Sequence, residues 1–206
     1  RGEPLEGRTA MKLTLQYLES INACTEAREA FKEKYPKGAS ADTVFKALVP
    51  AKLDWANWLI ARMLNRKNRI RYAIYAAEQA IDIFEKKYPD DKRPRLAIEA
   101  AKAVLEKDNK VNRDAAYAAA DAAAYAAYAA DAADAADAAY AAYAAADAAD
   151  AADAAYAADA AYAADAADAA YAADAADASD AANAAMKEKI IRYGIRLLKR
   201  QKGVKP

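Results

Sequence analysis

The chain has 206 residues, one cysteine, no histidine and a formal net charge of zero. A lone Cys24 excludes an intrachain disulfide framework and any cysteine-based zinc site. The lack of histidine excludes a Ser-His-Asp triad, a Cys-His pair and a His-ligated metal. No long apolar run carries the Leu, Ile, Val and Phe of a membrane span, and residues 1–10 lack the apolar centre of a signal peptide. The expected location is therefore cytoplasmic. Residues 1–10 read as a tag remnant or a disordered leader, with Met11 as the native start.

Residues 11–113 read as a small all-α domain. The expected helices are Thr14 to Ile21, Thr25 to Lys34, Ala41 to Val49, Asp54 to Asn65 and Ile70 to Lys87. In the last of these, Ile74, Ala77, Ile81 and Phe84 recur with the 3.6-residue period and mark a buried face. Tyr88-Pro89-Asp90-Asp91 ends it, and Pro94 opens the next helix, which runs to about Lys107. Pro36-Lys37-Gly38 and Pro50 mark earlier breaks. Nothing alternates with the period of a half-buried strand, so no strand is expected. Cys24 is expected to be a buried structural cysteine at a helix start. Trp55 and Trp58, three apart on one helical face, read first as core and second as a partner-binding pair. Arg66, Lys67, Arg69 and Arg71 form a basic cluster, read as a solvated face or as a docking site for an acidic partner.

Residues 114–186 are an alanine rod built from Asp-Ala-Ala and Tyr-Ala-Ala. They hold 48 Ala, 14 Asp and 8 Tyr, with no Lys, Arg or Glu. The neutral total thus divides into −14 here and +14 elsewhere. The edge positions include Asp131, Asp134, Asp137, Tyr140, Tyr143, Asp147, Asp150, Asp153, Tyr156, Asp159, Tyr162, Asp165, Asp168, Tyr171, Asp174 and Asp177. Three-residue steps dominate, broken by four-residue steps at 117 to 121, 121 to 125 and 143 to 147. In an α-helix a strict triplet slips back ~60° per repeat and scatters its edge. In a 3₁₀-helix, with about three residues per turn, Asp and Tyr stay on one edge and alanine fills the flanks. An extended 3₁₀-helix is the expectation, and a long α-helix is the fallback because alanine is the best α-former. Arg95 to Tyr193 contains no Gly or Pro, so no turn is expected within it. Bare methyl flanks suggest self-association of the rod into a homo-oligomer. Residues 187–206 follow as a basic amphipathic helix and tail, with Ile190, Ile191, Ile195 and Leu198 on its apolar stripe and a weak point at Gly194.

INACTEAREAF, KLDWANWLIARML, the run RIRYAIYAAEQAIDIFEKKYPDDKRPRLAIEAAKAVLE and the terminal KEKIIRYGIRLLK resemble a bacterial family of immunity proteins, grouped as immunity-protein-five-like and linked to polymorphic toxin systems. Cys24, Trp55, Trp58, Tyr88, Pro89, Asp90, Arg93 and Pro94 are the positions that look like family markers. The tail departs in using Asp, Tyr and Ala almost alone, without the Arg and Glu that relatives mix in. The resemblance implies a helical fold and a protein toxin as partner, and carries no active site. The expectation is a non-enzymatic binding protein with no cofactor, no metal, no catalytic residue and no nucleic-acid partner, since 14 aspartates repel phosphate. The alternative is a structural protein assembled through its alanine repeat.

Overall fold

A computed structural model describes residues 11–49, 51–129 and 180–201. These residues are all-α, with one two-residue strand pair. The helices are α1 (Leu15–Ser20), α2 (Thr25–Lys34), α3 (Ala41–Leu48), α4 (Leu53–Met63), α5 (Arg66–Lys87), α6 (Arg93–Glu106), α7 (Lys110–Ala129) and α8 (Asp180–Arg200). The described residues divide into two compact units, the first ending at Ala56 and the second running from Asn57 to Gln201.

The first unit corrects the expectation of no strand. β1 (Lys12–Leu13) and β2 (Ala39–Ser40) pair antiparallel, Lys12 opposite Ser40 and Leu13 opposite Ala39. Two residues are too few to show a period, and the pairing joins positions distant in sequence. Gly38 makes it possible. Its φ of +78° is in the left-handed region, and a Cβ there would stand 2.6 Å from the Leu13 carbonyl oxygen. Polar caps start the helices: the Thr14 hydroxyl accepts from the Tyr17 N–H at 3.1 Å, and Ser40 accepts from Thr43 at 3.1 Å. Leu13, Leu18, Phe31, Val44 and Phe45 are buried.

In the second unit, α5 starts four residues earlier than expected. The Asn65 side chain accepts the Asn68 N–H at 3.0 Å and caps the helix, so the whole basic cluster lies in its first turns. Ile74, Ala77, Ile81 and Phe84 are buried, as the period requires. α5 ends at Tyr88, and the following turn is held by Asp91. Its carboxylate accepts the Arg93 backbone N–H at 3.1 Å and two guanidinium nitrogens of Arg93. Those bonds hold the Asp91 carboxyl below the usual carboxylate range. Arg95 grips Glu85 in the same two-pronged way, at 3.0 and 2.6 Å, and lowers its pKa.

A turn at Lys107–Asn109 corrects the expectation of none between Arg95 and Tyr193. Here Asp and Asn do what Gly or Pro would do elsewhere. The Asn109 side chain accepts the Asn112 N–H at 2.9 Å, and the Asn112 amide donates to the carbonyls of Ala103 at 3.0 Å and Lys107 at 2.8 Å. One end of α6 and the start of α7 are thereby capped together. Asp108 accepts from Arg66 and, at 2.6 Å, from Arg113. Burial pushes its carboxyl up, but the two arginines outweigh this and leave it lowered. The boundary read at 113/114 therefore falls inside an unbroken helix.

α7 lies along α6, α6 along α5, and α8 along α5. α8 crosses where it has no side chain. A Cβ on Gly194 would meet Ile60 Cγ2 at 2.6 Å and the Tyr72 ring at 2.8 Å. Neither neighbour can yield. Ile60 is β-branched within α4, and Tyr72, fully buried, donates its hydroxyl to Asn57 at 2.5 Å. Burial drives the Tyr72 pKa far upward, so the phenol stays a donor. Beside the crossing, Tyr193 stacks on Tyr75 with centroids 4.1 Å apart.

Two outcomes are expected. Gly194→Ala in an exposed helix would stabilise by about 1 kcal/mol; here overpacking reverses the sign, and urea denaturation should show a loss of roughly 1–3 kcal/mol. The lowered carboxyls of Glu85, Asp91 and Asp108 contribute stability above their unfolded pKa near ~4 and lose it as pH falls through the lower folded values. The urea midpoint should hold from neutral pH to about 5 and fall below about 4, and the fall should shrink in the double variant Asp91→Asn/Asp108→Asn.

Candidate interaction surface

α7 carries the first part of the repeat, and it is α-helical. Residues 114–129, within α7, and 180–186, within α8, are thus α-helical at the two ends of the repeat. The strict triplets and the edge positions from Asp131 to Asp177 lie outside the described residues. The physical reason is in the local spacing. Asp114, Tyr117, Asp121 and Tyr125 are separated by steps of three, four and four, or about 3.7 residues per step, close to the α period. The average over the whole repeat concealed this.

The helix sorts its side chains accordingly. Ala116, Ala120, Ala123 and Ala126 are buried at 0–2% exposure. Asp114 and Asp121 are exposed, and the rings of Tyr117 and Tyr125 stay 55% and 67% exposed. Val111, at 75%, extends the same stripe one turn back. At ~100° per residue these five side chains fall within about 120° of arc, opposite the alanines. Tyrosines this open on a helix whose other face is buried are suited to contact, since large rigid amphipathic rings dominate binding hot spots. The triplet average does not single out this α-helical stripe or Val111; the local steps of three and four from Val111 to Tyr125 are the available signal.

The other singled-out residues are distributed differently. Trp55 and Trp58 are half-buried, between a core and a surface position. The Lys52 ammonium lies 4.8 Å from the Trp55 ring centre and the Arg62 guanidinium 5.3 Å from that of Trp58. The basic cluster is not one solvated face. Arg69 donates to the carbonyls of Ala61 at 3.2 Å and Leu64 at 3.1 Å, satisfying the C-terminus of α4. Burial, then Arg62 and Arg66, push its pKa down. Arg66 pairs with Asp108, and Arg71 donates to the Asn68 side chain at 3.1 Å. Lys67 is exposed. Gln201, which nothing in the pattern marked, accepts from the Asn65 N–H at 2.7 Å and the Asn68 amide at 3.2 Å and donates to the Met63 carbonyl at 3.1 Å. Cys24 is exposed, the reverse of its expected burial, and occupies the N-cap of α2 without a side-chain cap bond. Among the described residues, no three His, Cys, Asp or Glu side chains gather as metal ligands. No described helix is long and apolar enough to cross a membrane.

Residues 11–67 match the family model described as the YdhT N-terminal domain. The match covers little more than a quarter of the chain, so it is a similarity of that stretch. No curated protein and no solved structure matches the chain.

The cluster's division is measurable. Arg69→Leu should cost about 1–3 kcal/mol, because it strips two carbonyls of their donor, whereas Lys67→Ala should stay within about 0.5 kcal/mol. Equal costs by urea denaturation would contradict this division.

Proposed function

We propose that the chain is a non-enzymatic binding protein that neutralises a protein toxin by docking through the outer edge of α7. The observation that carries this is the pairing of exposed Tyr117 and Tyr125 with Asp114 and Asp121 on one stripe. Such a stripe fits a basic, aromatic-accepting surface on a partner: the rings supply contact area and the carboxylates supply steering and register. The resemblance to immunity proteins supports a toxin as that partner. The cytoplasm is the location that goes with this role.

A second reading is self-assembly through the alanine repeat. It is favoured by the buried stripe from Ala116 to Ala126, which supports the idea that this repeat's alanine faces pack closely against another helix. Light scattering separates the two. If deleting residues 130–179, with a short flexible joint in their place, leaves the oligomeric state unchanged, the repeat is not the assembly element.

For the first reading, co-expression with a toxin encoded beside the gene for this chain should restore growth, and the purified pair should form a complex. Tyr117→Ala and Tyr125→Ala should each weaken that complex by about 2 kcal/mol, or ~30-fold, with unchanged urea stability. Growth rescue that is absent with the full chain, or undiminished in the double variant, would remove the proposal.

A further inference from the structure

α8 has two opposed faces. Ile190, Ile191, Gly194 and Leu197 are buried, and the helix packs along α5. Lys189, Arg192, Arg196, Lys199 and Arg200 are all exposed. At ~100° per residue these five cations fall within about 100° of arc, centred opposite the buried set. Several are held in place. Lys189 donates to the neutral Gln79 amide at 2.7 Å, and Arg196 lies over the Tyr193 ring at 5.6 Å, so neither charge is cancelled by its orienting group. Arg192 is braced by Glu188 one turn back. The orientation of this basic stripe is therefore set by the same crossing that fixes α8.

Its complement lies in the same chain. Residues 130–179 hold 11 aspartates and no Lys, Arg or Glu. They are joined at both ends to the unit that carries α8: Ala129 closes α7 and Asp180 opens α8 itself. Fifty residues can reach up to ~165 Å, and α8 is only ~32 Å long, so reach is no obstacle. Tethering at both ends presents these carboxylates at an effective concentration on the order of mM, well above that of a second copy at micromolar concentration.

We infer that the outer basic face of α8 is the docking surface for the acidic segment 130–179 of the same chain. The interaction is electrostatic and sequence-tolerant: a row of cations meets a segment in which carboxylates recur every few residues, with no single pair required. The inference is independent of what the α7 edge binds.

Carbodiimide coupling of lysine to carboxylate, mapped by mass spectrometry on an equal mixture of unlabelled and ¹⁵N-labelled full-length chains, tests it. At ~10 mM salt, where screening extends over ~30 Å, Lys189 and Lys199 should couple to aspartates of 130–179, and always within chains of one label. At ~1 M salt, where the screening length is ~3 Å, the yield should fall about tenfold. The triple variant Arg192→Gln/Arg196→Gln/Arg200→Gln, with its helicity checked by circular dichroism, should show a comparable fall at low salt. Absence of these couplings at low salt overturns the inference. So do couplings between labels, which would make a second copy the occupant, and yields indifferent to salt, which would reduce the contact to tethering alone. If the variant does not fold, the salt series on the unaltered chain decides.

Discussion

Residue 194 has no side chain, and the position of α8 depends on that. The helix approaches so closely that a methyl group would collide with Ile60 and the Tyr72 ring. Tyr72 is immobilised because its hydroxyl is committed to Asn57 and both side chains are buried. Further anchors fix the rotation of the helix about this crossing: Tyr193 on Tyr75, Lys189 on Gln79, and Gln201 bridging the end of α4 and the start of α5. Which residues of α8 face outward is therefore a consequence of packing at one point.

The alanine-rich segment shows how small differences in spacing choose a helix. Alanine accepts either winding, so the larger side chains decide which face is which. In α7, two four-residue steps keep Asp and Tyr on a single stripe at the α period and leave four methyls for burial. Each buried methyl contributes about 0.8 kcal/mol at most, which is modest. The Asn109–Asn112 cap and the Asp108 arginine pairs supply the ordering at the turn that the alanines cannot.

Charge is arranged on a larger scale than any ion pair. Exposed pairs such as Lys110 with Asp114 contribute little individually. The division between an acidic repeat and a basic remainder acts through many weak terms and is most effective at low ionic strength. The Asp/Tyr stripe of α7 and the cationic stripe of α8 are two described surfaces within that division.

Much of the helical architecture was legible from periodicity and punctuation alone. The buried face of α5, the Pro89 break, the Pro94 start and α2 from Thr25 to Lys34 follow from local rules that need no tertiary partner. A single Asp/Tyr edge was expected only with 3₁₀ winding, and the α-helical edge of α7 comes from the local steps of three and four instead. What was not legible required a neighbour distant in sequence. The β1–β2 pair and the commitment of Arg66 to Asp108 each depend on such a neighbour. The sequence by itself determined that the chain is helical, where most helices begin and end, and that its charge is divided. Only the tertiary structure decided what covers each buried face and how closely it approaches, because packing is a property of two surfaces and a sequence displays them one at a time.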